Sequence, residues 1–168
     1  MIHDYFFAAT LDKIRPGGLV LFITSIGTLD KVEGGLRTYV SQRADFLGAI
    51  RLPNNAFKQN ANTDVTTDIV ILQKRFPGQI PSGHAWLERA QIQNSEGETL
   101  WVNEYFATHA EMMLGEMRLS GRMYQKGEPT LVPSGGDLET QLAGAISKLP
   151  KDIYQKAEGS PRTEQSHL

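Results

Sequence analysis

A chain of 168 residues with 40% hydrophobic content and a formal charge of -2 can bury one ordinary core and at most a small appendage. Zero cysteines and four scattered histidines exclude disulfides and thiolate-bound zinc and make a structural metal unexpected. No apolar run reaches the roughly 18 residues of a membrane span and no signal-peptide layout surrounds Asp4, so a soluble, cytoplasmic protein is expected, with any nucleic-acid contact left to a local basic surface or a partner.

In chain order, Ile2, Phe6, Ala9 and Leu11 recur at roughly helical intervals and predict a helix from Ile2 to Ile14, stopped by Arg15-Pro16-Gly17-Gly18. Leu19 to Thr24 is a continuous apolar run of strand length, the pattern of a strand covered on both faces in a parallel sheet. After a break from Asp30 to Gly35, Leu36 to Ala44 reads as an amphipathic helix. Phe46 to Leu52 and Asp68 to Leu72 are two further strands, and antiparallel pairing between them is expected. Beyond Arg75, Pro77, Gly78, Pro81, Ser82 and Gly83 form a loop or linker. Ala85 to Ile92 follows as strand or short helix, and Asn94 to Glu98 as a turn. Asn103 is a plausible N-cap for a helix through Met113, Glu116 to Met123 reads as a hairpin around Ser120-Gly121, and Asp137 caps a helix from Leu138 to Leu149. The polar stretch 156–168 lacks periodicity and is expected to be disordered.

The loop between the second and third strands carries the most chemistry. Phe57 stands among Asn54, Asn55, Lys58, Gln59, Asn60 and Asn62, one flat apolar face ringed by amides and an ammonium that suit base edges and phosphates. A polar loop whose Phe caps the core is the alternative. Arg51, Lys58, Lys74 and Arg75 supply a modest basic cluster nearby.

The run IHDYFFAATLDKIRPGGLVLFITS, followed by a helical segment, LGAIRLPNNAF and VTTDIVILQK, resembles the C-terminal half of the catalytic domain of S-adenosylmethionine-dependent adenine-N6 DNA methyltransferases. The methylase part of large methylase-helicase proteins is the nearest form. The resemblance spans about residues 2 to 75, and WVNEYFATHAEMMLGEMRLSGRMY looks like the segment that follows the methylase. It implies an α/β fold: a partial Rossmann-like methyltransferase sheet, its fifth to seventh strands, over residues 1–76. A small α+β appendage would cover 77–155. It also implies that the last strand inserts antiparallel between the other two.

The same resemblance places Phe57 against an extruded adenine, with Asn55 and Lys58 beside it, and Phe6 against the adenine of S-adenosylmethionine. Phe6 reads equally as a core-facing ring. Ser25 stands where many relatives have Pro. The Gly-rich cofactor turn and the Asn-Pro-Pro-aromatic tetrapeptide that binds the amine are both missing, so no catalytic residue is assigned. The expectation is an adenine methyltransferase part inactive alone. DNA and an N-terminal methyltransferase half, in cis or in trans, would be its partners, and self-association would run through the free edge of Leu19 to Thr24. A noncatalytic DNA-binding or assembly module is the alternative, and a structural remnant a third.

Other prominent residues have plainer readings. Met112, Met113 and Met117 suit core filling. His3-Asp4 lacks any nucleophile signature. Trp86 and Trp101 are expected to anchor the appendage, Lys74 reads either as a phosphate contact or as a solvated strand end, and Glu88, Glu96, Glu98 and Glu104 are too dispersed for an acid-base pair.

Overall fold

Helix α1 (Ile2–Lys13) ends where the Pro-Gly-Gly turn begins. The turn needs its glycines: Gly17 has φ +75°, and a Cβ on Gly18 would stand 2.6 Å from Ile14 and 2.8 Å from the Arg15 carbonyl. Gly17 N–H donates to the Lys74 carbonyl and Lys74 N–H to Gly18, tying the turn to the end of a later strand. The computed structural model describes residues 2–58, 64–119 and 127–154. Gln59, Asn60 and Asn62, the Ser120-Gly121 turn and the stretch 156–168 lie outside the described residues.

Strand β1 (Leu19–Ser25) leads through a short helix α2 (Gly27–Asp30) and a helix α3 (Gly35–Ser41) to β2 (Ala44–Leu52), with β3 (Thr67–Lys74) returning. The sheet order is β1-β3-β2, with β3 antiparallel to both neighbours. The expected pairing of the second and third strands and the central position of the returning strand are therefore present. The expected coverage of β1 is not. Val20 and Thr24 are buried while Leu19, Leu21 and Ile23 are 43%, 63% and 56% exposed, the alternation of an edge strand packed on one face only. β2 is buried along all nine residues and carries a bulge between Phe46 and Gly48.

The rest of the described chain supplies two antiparallel strand pairs and two helices. β4 (Arg89–Gln93) pairs with β5 (Thr99–Asn103), and β6 (Glu116–Leu119) with β7 (Pro129–Val132), both antiparallel. Helix α4 (Glu104–Thr108), a 3-10 turn (Ala110–Met112) and helix α5 (Leu138–Ser147) complete the order. The two caps read from sequence are made: Asn103 accepts from Tyr105 N–H and Asp137 from Thr140 N–H. Every strand ladder among the described residues is antiparallel, so the architecture is a small mixed α/β domain. The antiparallel insertion of β3 between β1 and β2 is the part of the expected arrangement that forms; no parallel strand ladder accompanies it among the described residues, so a Rossmann-like methyltransferase sheet is not shown.

One hydrophobic cluster runs through Phe7, Leu11, Val40, Phe46, Val70 and Leu72 into Trp86, Leu100, Phe106, Met117, Leu131 and Ala145. Backbone bonds fasten the later segments onto β2 and its neighbourhood: Leu114 N–H donates to Arg51, His84 N–H to Phe46, and Asn54 N–H to Leu131. Met112 and Met117 fill this core, as expected.

Candidate functional site

The loop after β2 is positioned by the Asn54 bond to Leu131 and by a turn in which Ala56 N–H donates to Pro53. Phe57 is half-buried and packs against the core cluster. Asn55 is exposed at the rim of a cleft of about 400 Å³ walled by Pro53, Leu114, Gly135, Gly136, Asp137 and Gln141. Lys58 is exposed and reaches Asp64 at 3.6 Å. Asp137, held below the usual carboxylate range by hydrogen bonds from the Thr140 hydroxyl and backbone, keeps a negative charge on the cleft wall. That charge disfavours phosphate there and suits a group that donates hydrogen bonds.

The basic cluster expected around this loop does not form. Arg51 is fully buried, its guanidinium bidentate on Asp68 at 2.7 and 2.8 Å, with a third bond of 2.7 Å to Asp30. Its charge lies 4.4 Å from the Phe106 ring centroid. Arg75 binds Asp45 and the Ala44 carbonyl, and Lys74 donates to the Leu11 carbonyl. These cations are consumed by the fold, which is why Lys74 contacts backbone instead of standing in solvent. Burial raises the Asp68 carboxyl and Arg51 beside it pulls the other way, while the paired carboxylates keep Arg51 charged.

Phe6 is 53% exposed on α1, its ring edge-on to Tyr5 at 5.9 Å; the ring that enters the core is Phe7, 4.2 Å from Phe22. Trp86 anchors the later segment by stacking on Phe46 at 4.6 Å. Trp101 does not anchor it, being 47% exposed. The alternation in Thr99-Leu100-Trp101-Val102, with Leu100 and Val102 buried, was the signal for that outward ring.

Two histidines far apart in sequence meet: His84 and His109 have ring centroids 4.7 Å apart, with Tyr105 stacked on His109 at 4.4 Å. Burial first, and the neighbouring His109 second, lower the His84 pKa. Among the described residues no group of three or more His, Asp or Glu side chains could hold a metal ion, and no helix is long and apolar enough to cross a membrane.

The least satisfied surface is β1. Its outer edge pairs with no strand among the described residues, and Leu19, Leu21 and Ile23 project from one face beside it. Seven residues of unpaired backbone edge joined to three exposed apolar side chains make a template for an added strand.

No family model matches this chain, and no solved structure matches it. It is 40% identical over 95 residues, 53% of its length, to the Defense against restriction protein B of Escherichia phage P1. The match covers 4% of that protein's length, so this chain spans a small fraction of the relative. The assignment to an adenine-N6 DNA methyltransferase is corrected by this finding. The similar protein is named for defence against restriction, and neither methyl transfer nor a methylase family is supported.

Proposed function

We propose that this chain is a noncatalytic assembly module of an anti-restriction protein, docked into a larger assembly through the open edge and apolar face of β1. The edge strand carries the reading, and the likeness to a much longer protein named for defence against restriction supports it. The occupant is an extended strand followed by an apolar cover. A strand alone satisfies the backbone of β1 but leaves Leu19, Leu21 and Ile23 in water. Covering three half-exposed aliphatic side chains contributes roughly 3 to 4 kcal/mol. Tyr5 and Phe6, exposed on α1, belong to a protein-facing surface on this reading, and titration with S-adenosylmethionine is expected to give no saturable binding.

Replacing both Leu21 and Ile23 by Lys tests it. Neither side chain enters the core, so the melting temperature is expected to stay within a few degrees of the parent, while concentration-dependent association seen by sedimentation disappears. A parent chain that sediments as a monomer across a dilution series, with slow amide exchange on the outer edge of β1, would overturn the reading.

A second reading, DNA contact through the loop after β2, is favoured by the exposure of Asn55 on the cleft rim and of Lys58 beside it. Here Lys58→Ala is expected to lower duplex affinity and to reduce the salt slope of binding by about 0.9, the share of one phosphate, without changing the melting temperature. Phe57 packs on the core, so Phe57→Ala is expected to lower stability before it lowers DNA affinity. The reverse order, a lost DNA contact at full stability, would restore the ring to the binding surface.

A further inference from the structure

The outer face of the β4–β5 pair is a second surface, on a different sheet from β1. Strand alternation puts Leu100 and Val102 inward and Gln91, Gln93, Thr99 and Trp101 outward, with Arg89 at the near end. Gln91 lies directly across from Trp101 in the ladder, and Gln93 across from Thr99. The Arg89 guanidinium sits 5.1 Å from the Trp101 ring centroid. Its Nε is buried without a hydrogen-bond partner, and it has no carboxylate partner among the described residues. The carboxylates at the hairpin tip are engaged elsewhere, Glu96 by Arg118 and Glu98 by Asn94.

We propose that this face binds single-stranded nucleic acid, one base stacking on the Trp101 ring, its edge read by Gln91 and the adjoining phosphate taken by Arg89. A protein-docking centre carries aliphatic or several aromatic side chains. This face has one ring and no aliphatic group, surrounded by two amides, a hydroxyl and an unpaired cation. One flat ring matches one planar ligand, and base-on-aromatic stacking tolerates any sequence because every base has a π-face. The guanidinium beside the Trp101 ring, without a carboxylate partner among the described residues, supplies the charge complement for a phosphate next to a stacked base. The duplex hides its base faces, so the site selects unpaired strands.

Fluorescence reads the site directly, because the chain has two tryptophans and Trp86 is buried against Phe46. Titrating the 168-residue chain with a short oligothymidylate at low salt is expected to quench the exposed component, and the same strand annealed to its complement is expected to quench it far less. Trp101→Ala should weaken binding by about tenfold or more, and Trp101→Phe, which keeps a stacking face, by only a few-fold. Arg89→Gln should flatten the slope of log affinity against log salt by about 0.7, the share of one single-strand phosphate. Circular dichroism checks that each variant folds, and Trp101→Phe with Arg89→Gln carry the test if Trp101→Ala does not. Absence of quenching by the single strand, equal quenching by the duplex, or undiminished anisotropy-measured binding in Trp101→Ala would each overturn the proposal.

Discussion

Arg51→Met, made alone, is expected to lower stability by about 3 to 5 kcal/mol, measured by urea denaturation. Arg51 and Asp68 are both fully buried, and the pair closes with two parallel bonds. Methionine fills much of the arginine's volume, so the loss comes from stranding a buried carboxylate and not from a cavity. The double variant Arg51→Met, Asp68→Leu is expected to recover much of the loss, because it removes the stranded charge and leaves a hydrophobic contact beside Phe106 and Met117. Asp30 keeps its bond from Asn103 N–H and is partly exposed, so it survives the change. A double variant as unstable as the single one would show that packing, and not charge, dominates the site.

The pH dependence of the single variant has a fixed sign. Without Arg51, burial first and the nearby Asp30 carboxylate second act on Asp68, and both raise its folded-state pKa further above the ordinary 3.8. A carboxyl that binds its proton more tightly when folded loses stability as pH climbs from its unfolded pKa through its folded one. The variant should therefore regain stability relative to the parent as pH is lowered from neutrality toward 4.

Phe46→Ala is expected to cost a similar amount, about 3 to 5 kcal/mol, by a different physical route. The ring is 1% exposed, stacked on Trp86 and edge-on to Tyr105 at 5.0 Å. Its backbone also seats the segment that follows the Pro-Gly linker: the Phe46 carbonyl accepts His84 N–H. A Cβ on Gly83, which has φ +93°, would stand 2.5 Å from that same oxygen. Removing the ring should shift Trp86 emission toward that of a solvated indole and speed proteolysis between Pro77 and Gly83. Gly83→Ala should speed the same cleavage with the ring intact, through backbone strain. Unchanged Trp86 emission in Phe46→Ala would show that the segment is held by its backbone bonds alone.

The elements legible in the sequence are those set by neighbours along the chain. The Pro-Gly-Gly stop of α1, the two N-caps at Asn103 and Asp137, and the antiparallel return of β3 all follow from local spacing and side-chain chemistry. What the sequence concealed depends on residues brought together from afar. Arg51 looks like one of four surface cations until Asp68, 17 positions on, and Asp30, 21 positions back, close on it. The apolar run of β1 reads as a doubly covered strand, because an aliphatic run carries no mark of which face will lie open. The loop after β2 divides its residues between core and surface. Phe57 belongs partly to the core, and the more exposed aromatic with an unpaired cation is Trp101, whose position was written in the alternation of its strand. The methyltransferase resemblance rests on an ordered series of short elements, and such a series does not by itself carry a function.

Asn103 sets the timetable of folding. Its side-chain amide donates to the carbonyls of Leu29 and Trp86, and its N–H donates to Asp30, spanning 74, 17 and 73 positions. At about 5 to 20 residues per second on the ribosome, the β1–β3 sheet waits roughly 1.5 to 6 seconds between its own completion and the end of β5. Until then the Asp30 carboxylate lacks its bond from Asn103 N–H and the Phe46 ring lacks the edge contact of Tyr105. The nascent chain is therefore most in need of a chaperone while β4 and β5 are still being made. Slowing translation between Lys74 and Asn103 should harm yield more than an equal delay after α5.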